Sequence, residues 1–412
     1  MQVVWQCCAG LDVHKKTVVA CVLRTEADGR ILKQVRTFGT MTTDLVALRD
    51  WLRAQNVEQV ALESTGVYSW PVFAVLEEGG LVPLVANPRL VKAVPGRKTD
   101  IKDSEWLADL LRHGLVRGSF VPPAAIRALR ELTRYRTTLV RERAQEVNRL
   151  HKLLELANLK LASVATDILG TSGRLMLEAL ADGEMDPTVL AALARGRLMK
   201  KHTALLTALD GRLRPHQRLL LRAILDHLAA LERLIARLDQ DIAAALLPFA
   251  GAVALLRTIP GVSATAAAIL VAELGVEMSR FGSAPQLASW AGVCPGNRQS
   301  GGKRLSGATT HGNVWLRAIL NQIAWAAVRT KGTSFGARFR RLAARGGVQK
   351  AMMAVMHHLL IVIYHVLQEQ EPYHELGPNY YRPQDPQRRA RRHVRQLEEL
   401  GYTVSITPTE AA

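Results

Sequence analysis

Cysteine is scarce in this chain. Four occur in 412 residues, Cys7, Cys8, Cys21 and Cys294, and none has a Cys-x-x-Cys spacing. That argues against a disulfide framework or a zinc site and points to buried thiols in a reducing compartment. Acidic residues are also short in number: 36 Asp and Glu face 54 Lys and Arg, giving a net charge of +18 and a pI of about 10.2. Such an excess bears on partners rather than on fold, and nucleic acid is the first candidate. No run of eighteen uninterrupted apolar residues is present, so no membrane span is expected. No lipidation motif or basic anchor beside an apolar segment supports a membrane-surface role. An acid at position 12 breaks the first apolar run, against a secretory leader. What remains is a chain of ordinary hydrophobic content, 48%, and a length that calls for two or three domains.

The first part reads as α/β. Residues 3–13, 17–24 and 31–39 are apolar enough for strands, with Asp28-Gly29 as a hairpin signal between the last two. A helix from about Thr43 to Ala54 carries Leu45, Leu48 and Leu52 on one stripe. A strand at 59–64, a helix over roughly 69–78 and a strand at 81–86 follow. Three strands, then alternating helix and strand, give a mixed sheet with crossover helices. That order matches the ribonuclease-H-like fold. Asp12 ends the first strand and Glu63 the fourth, each inside an apolar run where a carboxylate is costly unless paired or bound to a cation. Asp100 and Asp103, three residues apart at a helix start, can face the same way. Four oxygen donors of this kind suit Mg²⁺ or Mn²⁺. Taken singly, each has a plainer use: Asp100 or Asp103 as a helix cap, Asp12 as a turn cap, Glu63 as an arginine partner. One shared metal site explains all four together. Glu105 and Asp109 read as solvated helix charges.

From about Ile126 long helices take over. Val140, Val147, Leu154 and Leu161 recur every seven residues, as do Leu221, Leu228, Ile235 and Ile242 with Ile224, Leu231, Leu238 and Ala245 between them. The pattern is that of a coiled coil, or of an antiparallel hairpin within one chain; Arg136 and Arg143 weaken the first seam. Residues 163–214 read as short helices, possible material for an insertion. Residues 253–275 give helix, Pro260-Gly-Val262 turn, helix, a helix-hairpin-helix whose second N-terminus suits a phosphate at Gly261, or else a small-residue pair that only packs. The glycine-rich basic loop Gly292-Val-Cys-Pro-Gly-Asn-Arg-Gln-Ser300-Gly-Gly-Lys-Arg304 follows, then Thr310-His-Gly-Asn313 with Asn313 placed to cap a helix. His357-His358 sits in an apolar helix and reads as core. The tail carries Tyr380-Tyr-Arg and Arg388-Arg-Ala-Arg-Arg-His-Val-Arg395, a solvated basic tail or a nucleic-acid contact. Domain limits are expected at 1–125, 126–247, 248–345 and 346–412.

Gly10-Leu-Asp-Val-His-Lys15, Glu63-Ser-Thr-Gly66 and Lys98-Thr-Asp-Ile-Lys-Asp103 resemble the N-terminal signatures of the DEDD-type insertion-sequence transposases, the IS-one-ten family. The order Pro-Gly-Val, Ala-Gly-Val-x-Pro-Gly, Gln-Ser-Gly-Gly-Lys and His-Gly-Asn-x-x-Leu-Arg resembles the C-terminal transposase domain of the same family. Ser104 stands where the family usually has Ala. The resemblance implies a RuvC-like metal-binding domain, a helical linker and a serine-bearing transposase domain. It further implies cutting and rejoining of DNA through a covalent serine–DNA bond at Ser300, with Asp12, Glu63, Asp100 and Asp103 holding Mg²⁺. Arg298, Lys303, Arg304 and Arg317, with Gly261, are the expected nucleic-acid contacts. Glycines beside Ser300 allow close approach to phosphate, and Ser306 is its nearest rival. A structured guide (bridge) RNA, a homodimer or tetramer, and a bacterial cytoplasmic protein that joins the nucleoid when bound to DNA complete the expectation. The competing readings are a Holliday-junction-type endonuclease that attacks with water, and a nucleic-acid-binding protein without catalysis.

Overall fold

The computed structural model describes residues 2–63, 66–81, 83–86, 103–116, 118–296, 298–301, 303–380 and 386–406, with the backbone alone for 298–300, 304–306, 386–389 and 392. The described chain divides into two compact units, Met1–Val121 and Pro122–Ala412.

The first unit is built on strands β1 (Cys7–Val13), β2 (Thr17–Thr25), β3 (Ile31–Gly39), β4 (Gln59–Glu63) and β5 (Pro83–Ala86). They form one sheet in the order β3-β2-β1-β4-β5. The β1/β2 and β2/β3 pairs are antiparallel, and β1/β4 and β4/β5 are parallel. Gly29, at a φ of +82°, makes the turn between β2 and β3. Side chains alternate between faces along a strand, and β1 shows it plainly. Cys7, Ala9, Leu11 and Val13 enter one core with Leu45, Leu48 and Leu52 of α1 (Thr42–Ala54) and Val72, Phe73 and Leu76 of α2 (Ser69–Glu78). Cys8 enters the other, with Cys21, Leu23, Ala61 and the Leu107, Ala108, Leu110 and Leu111 side of α3 (Asp103–Arg112). Burial pushes the Cys8 and Cys21 thiols up to about 12, so they behave as apolar core residues.

Helix α3 lies directly on β1 because residue 10 is glycine. A Cβ there would stand 2.3 Å from the Ser104 carbonyl oxygen and 2.5 Å from the Ala108 nitrogen. The contact leaves Ser104 fully buried, and its Oγ has no hydrogen-bond partner among the described residues.

In the second unit, α4 (Ala124–Leu156) packs along much of its length against α9 (Pro215–Ala245), which runs in the opposite direction. Between these two lie α5 (Leu161–Val164), α6 (Thr171–Asp182), α7 (Pro187–Ala192) and α8 (His202–Leu209). The heptad stripes therefore meet within one chain. The two arginines that interrupt the stripe of α4 are paired across the seam, Arg136 with Asp239 and Arg143 with Glu232. The short helices at residues 161–209 form a core of their own with Leu150, Leu154, Leu221 and Leu228 at one end of the long pair.

The remaining helices are α10 (Ala250–Leu256), α11 (Ala264–Leu274), α12 (Ala284–Trp290), α13 (Val314–Arg329), α14 (Ser334–Gly346), α15 (Val348–Glu369) and α16 (Pro386–Glu398). By length and hydropathy α15 alone could cross a membrane, among the described residues. It packs against α10, α12, α13 and α14, as the central helix of a helical core does. His358 of α15 stands 5.6 Å from the Phe335 ring, centroid to centroid. Burial, helped by Arg338, pushes His358 down to about 4.

Replacing Ser104 with Ala removes a buried hydroxyl that bonds to none of the described residues; the variant should unfold at higher temperature, by an amount worth about 1–3 kcal/mol. A lowered melting temperature would show that the hydroxyl has a partner. His358 is neutral in the fold, and its lowered pKa makes the unfolded state bind the proton more readily. Its contribution is complete above the ordinary value of 6.5 and is lost as pH falls towards 4. Between pH 7.5 and 5.0 the wild type should lose about 1–2 kcal/mol more than His358→Leu in urea unfolding, a figure reduced for partial exposure.

Candidate active site

The period-2 pattern of β1 and β4 decides where the acids go. Gly10 and Asp12 share a face with Cys8; Glu63 shares one with Ala61. Both faces are the side of the sheet that carries α3. The parallel register pairs Leu11 with Leu62, so Asp12 falls beside Glu63 one step further along. Asp12 is mostly buried, 18% exposed at its side chain, and its Oδ2 lies 3.1 Å from His14 Nε2. Asp103 is the first residue of α3 and is exposed. Since Ser104 rests on Gly10, two residues before Asp12, the start of α3 reaches the same end of the sheet. Asp100 lies outside the described residues. Among the described residues no three His, Cys, Asp or Glu side chains are gathered into a closed metal site. The two neighbouring acids of α3 have other partners: Glu105 pairs with Lys33 at 3.1 Å and Asp109 with Arg112 at 3.0 Å.

The serine loop is a β-hairpin. Strands β6 (Arg298–Ser300) and β7 (Lys303–Ser306) pair antiparallel with Ser300 opposite Lys303, so Ser300 is the last residue before the turn. Gly301 has a φ of +55°, the left-handed backbone that a two-residue hairpin turn demands. The neck below is closed by backbone packed on backbone. A Cβ on Gly312 would lie 2.2 Å from the Ala291 oxygen, one on Gly292 2.7 Å from the Thr310 oxygen, and one on Gly296 2.5 Å from the Ala308 oxygen. The glycines of the loop thus fit its base as well as its tip. The side chains of Ser300, Arg298, Arg304 and Ser306 lie outside the described ones. Lys303 and His311 are exposed.

Two further expected contacts have packing partners. Gly261, at a φ of +86°, faces α13: a Cβ there would lie 2.7 Å from both the Ile323 oxygen and the Ala327 nitrogen. Arg317, on α13, donates to the carbonyls of Thr310 and His311, at 3.2 and 3.0 Å, and so braces the segment that leads into its helix.

The strongest polar cluster of the second unit involves a residue that the sequence reading passed over. Glu273, in the otherwise apolar α11, is completely buried. Arg134 grips it with two hydrogen bonds of 2.7 and 2.8 Å, Arg130 lies 3.5 Å away, and Asn313 donates at 2.6 Å. The other end of the Asn313 amide accepts from the Trp315 and Leu316 nitrogens, which makes it the N-cap of α13. Burial lowers Arg130 to about 10 despite the carboxylate beside it. A signal was available: a lone acid in an apolar helix requires a cation, and α4 offers Arg130 and Arg134 one turn apart.

Residues 9–159 match a family model for DEDD-type IS110 transposases, described as "Transposase". Residues 253–340 match the model "Transposase IS116/IS110/IS902 family". A protein of Pseudomonas aeruginosa strain PAO1 named "Probable family 20 transposase" is 30% identical over 299 residues, which is 72% of this chain and 78% of that protein. The molecule is a transposase, a DNA-processing enzyme with matched regions in both units. It belongs to the IS110 family.

Glu273→Gln keeps the volume but leaves two arginines without their charge partner. Removing one member of a buried pair costs about 3–5 kcal/mol. The variant should therefore melt well below the wild type in calorimetry, and an unchanged transition of the second unit would contradict the assignment.

Proposed function

We propose that this transposase cuts and rejoins DNA through a covalent phosphoserine bond at Ser300, assisted by the carboxylates of the first unit. The observation that carries the reading is the placement of Asp12 and Glu63 beside each other on one sheet face, with the start of α3 and Asp103 at the same end. Strand order and direction support a ribonuclease-H-like domain. The donor set is oxygen only and fits a hard divalent cation, with Asp12, Glu63, Asp100 and Asp103 as its holders and Mg²⁺ or Mn²⁺ as the ion. Such an ion, when bound, supplies Lewis-acid charge at a phosphoryl oxygen.

In this reading the residues of the chain divide the work. The Ser300 Oγ forms a bond to phosphorus as the bond from phosphorus to a deoxyribose oxygen breaks. The hydroxyl proton leaves to solvent or a nearby base, and the departing oxygen takes one up. No phosphodiester energy is lost, so a second DNA hydroxyl can reverse the step and rejoin the strand. Gly301, by allowing the tight turn, puts Ser300 where a phosphate can approach. Arg298, Lys303 and Arg304 offset the charge that grows on the phosphoryl oxygens. Backbone binding falls to the basic excess, including the arginine-rich α16, which suits a guide RNA as well as DNA. Joining four DNA ends calls for a dimer or tetramer.

The test is a covalent adduct. Protein incubated with element-end DNA, RNA transcribed from the element flank and Mg²⁺ should yield a DNA-linked band on a denaturing gel. Ser300→Ala and Asp12→Asn should each lower its yield by at least about a hundredfold, as expected for loss of a nucleophile or of a charge at the phosphate. An adduct that survives Ser300→Ala removes the serine from the mechanism. Nicked DNA without any adduct would assign the attack to water.

A further inference from the structure

A pocket of about 420 Å³ opens between α4, the start of α11 and α13. Its polar lining includes Arg134, Arg136, Arg141, Thr265 and Gln322, together with the carboxylate of Glu273. It is separate from the serine hairpin, and its volume is that of a nucleotide-sized group rather than of a few waters.

The charges around it do not cancel. Arg134 is held by Glu273, which also serves Arg130, and Arg136 is held by Asp239. Among the described residues no carboxylate pairs with Arg141. Its guanidinium instead lies 5.0 Å from the centre of the Trp315 ring, and that of Arg134 lies 5.7 Å from the same ring. Arg141 is exposed, and an arginine held over an aromatic ring by its charge keeps N–H groups that can still donate to a ligand. A flat π-system can stack on such a plane, and a phosphate can accept from its rim. The N–H group of Thr265, in the first turn of α11, borders the same space and has no acceptor within the helix.

We propose that this pocket holds one unpaired nucleotide of a nucleic-acid strand, its base stacked on the Arg141–Trp315 pair and its phosphate on Arg141 and the start of α11. The proposal rests on the chain being a nucleic-acid-processing transposase, but not on Ser300 being its nucleophile. DNA and RNA share the recognised chemistry, and oligomers of each distinguish the source.

Binding of short labelled single strands, DNA and RNA, is measured by fluorescence anisotropy for the wild type, Arg141→Gln and Trp315→Leu. Arg53→Gln, an exposed arginine on α1, is the control for lost charge alone. The two pocket variants should bind at least one kind of strand about tenfold more weakly or worse, and the control should bind as the wild type does. Loss confined to DNA or to RNA names the strand. In parallel, strands carrying 4-thiothymidine or 4-thiouridine are photo-crosslinked, and the attached peptide is identified by mass spectrometry; attachment in α4 or α13 around Arg141 and Trp315 is expected. Trp315→Leu could perturb packing, so its melting temperature is checked, and the exposed Arg141→Gln carries the result if it is altered. Arg141→Gln binding within about twofold of wild type, or crosslinks wholly outside these helices, overturns the proposal. If the Ser300 adduct forms while the pocket variants bind normally, the pocket falls and the catalytic reading stands; weakened binding without any adduct reverses that outcome.

Discussion

One carboxylate without access to water sets the frame of the second unit. Glu273 must be compensated where it lies, because an isolated buried charge costs far more than any local packing returns. Its compensation comes from two directions at once. Arg130 and Arg134 bring in α4, the long helix, while Asn313 brings in the segment that leads from the serine hairpin to α13. Asn313 uses its oxygen to cap α13 and its nitrogen to serve Glu273, so both ends of one amide are committed. The hairpin neck is then fixed against that segment by contacts that exclude side chains: Gly292 and Gly312 stand where a methyl group would overlap backbone. Position of the serine-bearing strand thus traces back, through short rigid contacts, to a single buried carboxylate side chain.

A steric constraint plays the corresponding part in the first unit. Alternation along β1 sends odd residues to α1 and α2 and even residues to α3. Asp12 and Glu63 inherit their common face from that alternation, and a one-residue slip of β4 would turn Glu63 to the opposite core. The close seat of α3 depends on Gly10 having no side chain. In the family resemblance Ser104 looked like a minor departure. In the fold it adds a buried hydroxyl at the seat of α3, with no partner among the described residues.

Much of this was legible in the chain itself, for reasons that differ from residue to residue. The strands and the acids at their ends could be read because an apolar run interrupted by a carboxylate is a local pattern. Cys8 and Cys21 could be read as core because nothing in their spacing offered a partner. The helical repeats were legible as repeats, but period fixes a face and not the partner of that face. Arg136 and Arg143 looked like defects of the seam until Asp239 and Glu232, about ninety to a hundred residues away, supplied their counter-charges. Gly261 illustrates the limit most clearly. A turn glycine with positive φ serves equally a phosphate or a neighbouring helix, and the α13 backbone that approaches it is distant in sequence. Glu273 was missed for a related reason: its demand for a cation was local, but the identity of the donors depended on tertiary packing.

The start of α13 concentrates these relations in five residues. Asn313 joins the cap to Glu273, Trp315 forms a wall of the arginine-lined pocket, and Arg317 returns to hold the Thr310 and His311 carbonyls. Residues two apart on a helix point about 200° apart, so Trp315 faces away from Arg317, while Asn313 caps the same turn from outside the helix. The first turn of α13 therefore meets the hairpin neck through Arg317 and the pocket through Trp315. A group seated against Trp315 bears on the same backbone that Asn313 and Arg317 hold, and interiors packed at this density transmit small shifts rather than absorb them. A single turn thus carries contacts to both the pocket and the segment that leads from the serine hairpin.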